Sequence, residues 1–235
     1  MPTIELESMT VAYSVEERPR RRYPAIRVDG QRCVTVLVPT GYSALAIPTL
    51  LLQHKRWLLG QLARPGVPLK GFQTGEIFTY LGLPVSLWLT AQASRAAVHL
   101  TDDRRLAVQV TSGCGDDQAR MVRAALTGWF CDRAQDVLPP RVAHYSQALK
   151  AYPNELKIRE YKSRWGFCRT DGLIALNWRL IQAPLAVIDY VVVHELIHRT
   201  YPHHQPTFWA AVKRARPSMD SEREWLKTHG QELFW

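Results

Sequence analysis

Apolar and polar positions along the chain alternate or cluster in the first half and recur at helical spacing in the second. Residues 25–28 and 32–38 read as strands on either side of Asp29-Gly30, a pair that predicts a two-residue hairpin turn. From 43 to 64 the apolar positions Leu45, Leu51, Leu52, Leu58, Leu59 and Leu62 predict a helix, with Pro48 near its regular start and the run R-P-G-V-P after it. Short strands are predicted over 76–81, 85–90, 96–100 and 106–111. A broad stripe of Met121, Leu126, Trp129, Phe130, Ala134 and Val137 predicts a helix over 116–137, ended by Pro139-Pro140 and followed by a short helix to about 150.

Strands are next predicted over 155–161 and 164–168, then a turn at Thr170-Asp171-Gly172 and a return strand over 173–176. Pro184 stands where a helix would begin and Pro202 where it must have ended. The β-branched run Val191-Val192-Val193 between them also suits a buried strand, but the length of the segment and its flanking prolines favour a helix. Two more helices are predicted, over 206–216 and 220–229. No internal repeat or low-complexity tract is evident.

At 235 residues, 46% hydrophobic and 22% charged, the chain has the composition of an ordinary globular protein with a sizeable core. No apolar run reaches the length of a membrane span, and the opening M-P-T-I-E-L-E-S-M-T lacks the basic, then apolar, pattern of a secretory signal. A cytoplasmic location is the simplest expectation. It agrees with four scattered cysteines, Cys33, Cys114, Cys131 and Cys168, which form no C-x-x-C pair. Lysine and arginine number 30 against 21 acids, a net charge of +9. That excess, densest at Arg18, Arg20, Arg21 and Arg22, would favour phosphate-bearing partners, nucleic acid among them, or is simply a solvated basic surface.

The chemistry concentrates late in the chain. Of eight histidines, His194, His198, His203 and His204 fall within eleven residues. His194 and His198 lie four apart, so on a helix their imidazoles leave one face a turn apart and can reach one ion. Glu195, between them, can take a proton from a water at that ion without itself being a ligand. The segment therefore matches H-E-x-x-H as H-E-L-I-H. Pro202 would break the helix and turn the chain back, bringing either His203 or His204 as a third ligand. The latter has the metzincin spacing but lacks its glycine, with Tyr201 in that place.

Four blocks then carry a resemblance. They are S-R-W-G-F-C from Ser163, G-L-I-A-L-N-W-R-L from Gly172, I-D-Y-V-V-V-H-E-L-I-H from Ile188 and H-Q-P-T-F-W from His204. Together they resemble the YgjP-like metallohydrolase family, related to the SprT-like and WLM zinc proteases. The likeness is dense over about 155–230 and looser toward the N-terminus. It implies His194, His198 and His204 as ligands of Zn2+ and Glu195 as general base. Phe167 stands where the family has serine, and His203 and Gln205 flank His204 where it has asparagine and serine.

The leading expectation is thus metal-assisted hydrolysis of a peptide, with Arg164, Tyr201 and His203 as candidate substrate-binding donors. Strand 164–168, if it lies at a sheet edge, would suit pairing with an extended peptide. The resemblance also implies a second substrate class, since the family has been linked to nucleoside triphosphate cleavage; the same metal site would then act as a pyrophosphohydrolase. A third reading is a nucleic-acid-associated module with structural zinc. Trp165, Trp178 and Trp209 are expected in core packing, and Cys168 as a small buried apolar residue. The expected fold is α+β, a β-rich N-terminal portion (1–112) packed on a zincin-like helical unit with an adjoining hairpin (113–235), or the two as one continuous domain.

Overall fold

A computed structural model of the chain describes residues 1–64, 66–91, 97–110, 116–162 and 164–235. Pro65, Cys114 and Ser163 lie outside the described residues, as do Ala96 and Thr111 at the ends of two expected strands. The architecture is α+β. Backbone contacts divide it into Met1–Leu69 and Lys70–Trp235, each with its own core. The division expected at 112 falls inside the second unit. There Leu87, Leu106 and Val108 share one apolar cluster with Val122, Leu126 and Phe130 from beyond it.

In the first unit β1 (Thr3–Leu6), β2 (Met9–Glu17), β3 (Ala25–Val28) and β4 (Val34–Val38) form a sheet in the order β1-β2-β4-β3. The central pair β2 and β4 is parallel and the outer pairs antiparallel. The turn between β3 and β4 is longer than the two residues expected. The Asp29 carboxylate accepts hydrogen bonds from the backbone N–H groups of Gln31 and Cys33, both at 2.9 Å, and the left-handed residue is Arg32 (φ 61°), not Gly30. A side-chain acceptor, rather than glycine, closes this turn. The single helix expected over 43–64 is two, α1 (Ala46–Gln53) and α2 (Lys55–Leu62), broken at His54 (φ −103°, ψ 15°). Pro48 sits in the first turn of α1, where its missing N–H has no intrahelical acceptor to lose. Ile47, Leu51, Leu58 and Leu62 bury against Val34, Val36 and Val38.

The second unit begins by repeating that topology. Strands β5 (Ile77–Tyr80), β6 (Leu83–Ala91), β7 (Val98–Leu100) and β8 (Arg105–Val110) run in the order β5-β6-β8-β7, again with a parallel centre and antiparallel edges. The strand repeat is one of topology and burial pattern, which residue identities do not reveal. Helix α3 (Asp116–Leu149) follows and is one continuous helix with Pro139 and Pro140 inside it. The expected stop fails because the buried row Val122, Leu126, Phe130, Ala134, Leu138 and Val142 continues through the prolines at four-residue spacing. Burial of that row outweighs the backbone hydrogen bonds that the two prolines cannot make, about 3 kcal/mol for each proline.

A second sheet then forms from β9 (Glu155–Arg159), β10 (Gly166–Cys168) and β11 (Leu173–Asn177), in the order β10-β11-β9. β11 is buried along its whole length, parallel to β9 and antiparallel to β10, which is an edge. A 3₁₀ turn (Trp178–Gln182) leads into α4 (Leu185–Ile197), and α5 (Pro206–Ala215) and α6 (Met219–His229) complete the unit. The run 191–193 is helical. Its side chains are buried all round, a setting in which β-branching costs little against the gain in apolar contact. The start of α4 is seated by the β5–β6 turn. Gly82 (φ 77°) lies so close that a Cβ there would stand 2.7 Å from the Pro184 Cα. Trp235, partly buried, packs against this core, its indole N–H donating to Gln182 Oε1 at 2.7 Å.

Asp189 fastens the middle of α4. Its carboxylate accepts from Arg141 Nε at 2.7 Å, Arg141 Nη2 at 2.5 Å and the Tyr145 hydroxyl at 3.0 Å, all on α3, while Arg216 beyond α5 lies 3.7 Å away. Asp189→Ala would leave the Arg141 guanidinium without its carboxylate, while Arg216 keeps Glu222. A loss of about 3 kcal/mol is expected, the low end for breaking a buried pair because Arg141 is partly solvated. Urea unfolding checks this as a lower midpoint at unchanged slope.

Candidate metal centre

Helix α4 brings its chemistry out only at its C-terminal end. His194 and Glu195 lie in the last turn, and His198 is the C-cap residue, still in right-handed helical conformation (φ −60°, ψ −17°). The two imidazoles therefore remain on one face, and their ring centroids are 4.9 Å apart. After Pro202 the chain turns back and His204 reaches the same point just before α5. Its Nε2 lies 3.0 Å from His194 Nε2 and 3.1 Å from His198 Nε2. These ligand atoms all fall within 4.8 Å of one another.

The donor set fits a metal ion. His198 Nδ1 lies 3.0 Å from the Tyr201 carbonyl, so Nδ1 carries the proton and Nε2 presents a lone pair to the cluster. Burial, followed by the neighbouring His198 and His204 imidazoles and Arg223, pulls His194 down to about 3. Burial also lowers His198, against the Tyr201 hydrogen bond. Neutral imidazoles whose lone pairs converge are what a divalent ion requires.

Aromatic rings hold the imidazoles in place. Phe208, fully buried on α5, has its centroid 4.9, 4.5 and 4.8 Å from those of His194, His198 and His204, respectively. Trp209 stacks on His204 at 5.4 Å and 21°. The block from His204 to Trp209 thus supplies one imidazole and the rings that orient all three.

Glu195 points to the other side of the cluster. Its side chain lies against β10, where a Cβ on Gly166 would stand 2.9 Å from Glu195 Cγ and Oε1 and 3.0 Å from the Ala175 carbonyl oxygen. Only glycine leaves that space. Burial pushes the Glu195 carboxyl up to about 8, with the Arg164 guanidinium working against it. A cavity of about 190 Å³ opens beside it, bounded also by His194 and by Trp165, Tyr190 and Arg223.

The other expected donors are placed differently. Arg164 is on the Glu195 side, with its guanidinium 5.4 Å from the Phe167 ring centroid. Tyr201 gives its carbonyl to His198, but its ring lines a separate cavity with Tyr145 and Ile197. His203 is exposed and outside the imidazole cluster. Of the tryptophans expected in core packing, Trp178 is buried, whereas Trp165 and Trp209 border the site. Cys168 is half-buried and burial raises its thiol. Gly166, Phe208, Tyr190 and Arg223 were not singled out from sequence. The glycine inside the W-G-F strand was the one local signal, because glycine within a strand marks a close approach.

Compared with protein families, the chain matches the model described as YgjP-like, metallopeptidase domain, over residues 22–229. The chain belongs to the YgjP-like family. A metal ion is accordingly part of its equipment, and the triad of His194, His198 and His204 is a cluster able to hold one. Among solved structures, the YgjP-like chain is similar to the metallopeptidase zymogen abylysin of Pyrococcus abyssi. The identity is 20% and the TM-score 0.34, over 39% of this chain and 94% of that one. No curated protein matches. No helix among the described residues is long and apolar enough to cross a membrane.

The geometry separates two adjacent histidines by metal stoichiometry. His204→Ala should drop bound metal well below one ion per chain at micromolar metal, whereas His203→Ala should retain a full equivalent. Atomic absorption after gel filtration reads both.

Proposed function

We propose that this chain is a zinc-dependent peptidase in which His194, His198 and His204 hold the ion and Glu195 is the general base. The observation that carries this reading is the position of Glu195. Glu195 is the residue after His194, stands outside the imidazole cluster and borders a cavity with His194, so it would adjoin an ion held by the imidazoles without being a ligand. Three neutral nitrogen ligands suit zinc and leave a coordination position for substrate chemistry. When bound, zinc supplies Lewis acidity, drawing electron density from water and from a carbonyl oxygen.

The protein's own groups do the rest. Glu195 takes the proton of the attacking water and returns it to the departing amine, a single carboxylate serving both steps. Gly166 keeps the carboxylate in place by leaving room for it against β10. Arg164, on the same side, is the donor for negative charge that develops at the carbonyl oxygen. The edge position of β10 offers an extended peptide a strand to pair with, which would align its backbone beside Glu195.

Glu195→Gln should keep a full equivalent of metal and lower turnover by about 10²–10⁴, the usual worth of a positioned base. Gly166→Ala should also keep the metal and lose at least tenfold in turnover, because the added methyl displaces the carboxylate. The assay pairs a quenched-peptide library with release from nucleoside triphosphates. Cleavage of the triphosphates alone would replace the peptidase reading by the pyrophosphohydrolase one, and full activity of Glu195→Gln would remove the base.

A further inference from the structure

Arg223, on helix α6, borders the metal centre's side cavity, and the three acids of that helix are already paired elsewhere. Asp220 pairs with Lys213, Glu222 with Arg216, and Glu224 with Lys227. Arg223 sits among them and, within the described residues, makes no ion pair and donates no hydrogen bond. Its guanidinium is instead held over the Trp209 ring, 4.8 Å from the centroid. A contact with the ring takes up none of the guanidinium's N–H donors as hydrogen bonds, which leaves them in the fork geometry that matches a carboxylate.

Those donors belong to the cavity that also holds Glu195 and His194. Tyr190, one helical turn before His194, adds a phenol that likewise makes no hydrogen bond within the described residues. Trp165, Val191 and Leu226 give the remaining wall an apolar surface. A carboxylate entering there would meet two unused donors, the phenol of buried Tyr190 and the guanidinium of Arg223 at the exposed rim. At about 190 Å³ the cavity falls below the roughly 300–1,000 Å³ of pockets for drug-sized ligands. That is room for one amino-acid side chain, not for a nucleoside triphosphate.

We propose that Arg223 determines specificity at this site: with the Tyr190 hydroxyl, it receives a carboxylate on the substrate residue adjoining the bond that is cleaved. The carboxylate is either an acidic side chain within a peptide or the free α-carboxylate at a peptide's end. This inference rests on the peptidase reading above, and it names the substrate class of that site.

The test uses the zinc-loaded chain and two sets of quenched peptides. One set has blocked ends and carries Glu, Gln or Lys at single positions along the sequence. The other keeps neutral side chains and varies a free against an amidated C-terminus. At one position next to the cut, or at the free end, kcat/KM should favour the carboxylate by at least tenfold. Arg223→Gln should abolish that preference, and Arg223→Glu should turn it toward Lys, a gain that misfolding cannot imitate. Peptide binding to the Glu195→Gln protein, followed by calorimetry, should show the same tenfold preference and lose it in the Glu195→Gln, Arg223→Gln double variant. Equal cleavage of all peptides overturns the role of Arg223 and leaves the peptidase reading standing. Absence of cleavage of any peptide, with triphosphates hydrolysed, overturns both.

Discussion

Helix α4 is buried on nearly every side from Val187 to Ile197, and that burial governs where chemistry can occur. A helix sealed in this way cannot present a functional face along its length. It can do so only where the seal ends, in the turn that carries His194 and Glu195 and at the cap residue His198. The seal comes from α3 through Asp189, from the β5–β6 turn through Gly82, and from the strands β10 and β11. Each fixes the helix axis, so the direction in which the imidazoles leave it is set by packing and not by the site itself. A metal site needs ligands whose directions are fixed by their surroundings, and the packing around α4 supplies that.

The same burial sets the electrostatics. His194 remains neutral because the charged imidazolium would lose its solvation, and two further imidazoles beside it penalise charge again. Glu195 is subject to the same desolvation with the opposite consequence, its proton being held more tightly. Adjacent residues in one helical turn are thus pushed toward neutrality from opposite sides. A cation placed at the imidazoles would relieve both, by accepting the lone pairs and by favouring the carboxylate, so the ion and the fold are linked.

The sequence disclosed the parts of this arrangement that depend on spacing and punctuation. Four-residue separation of His194 and His198, Pro184 and Pro202 around the helix, and the turn at Asp171-Gly172 all follow from local geometry. What escaped depended on packing at a distance. Pro139 and Pro140 are strong local stops, yet the buried row from Val122 to Val142 carries α3 through them. Asp29-Gly30 is a strong hairpin signal, yet Asp29 caps a longer turn through its side chain. Spacing alone left His203 and His204 open, and the resemblance pointed to His204; the return of the chain after Pro202 is what brings that imidazole beside the other two. The shared topology of the two four-stranded sheets was hidden because strand order is set by which faces are apolar, a property many different residues satisfy.

Arg223 illustrates the limit most sharply. In sequence it is one basic residue among alternating acids on an exposed helix, where the default expectation is a salt bridge to Glu222 or Glu224 or to nothing. Three independent pairings remove those acids from it: Arg216 takes Glu222, Lys227 takes Glu224 and Lys213 takes Asp220. The Trp209 ring beneath the guanidinium is the same ring that stacks on His204. One indole therefore lies against both an imidazole of the histidine cluster and the guanidinium beside Glu195. Under the proposal that His204 holds the ion and Arg223 a substrate carboxylate, a shift of either partner would move the ring the other rests on. The net charge of the chain is then less informative than the location of its one guanidinium in this cavity that has aromatic support and, among the described residues, no counter-ion.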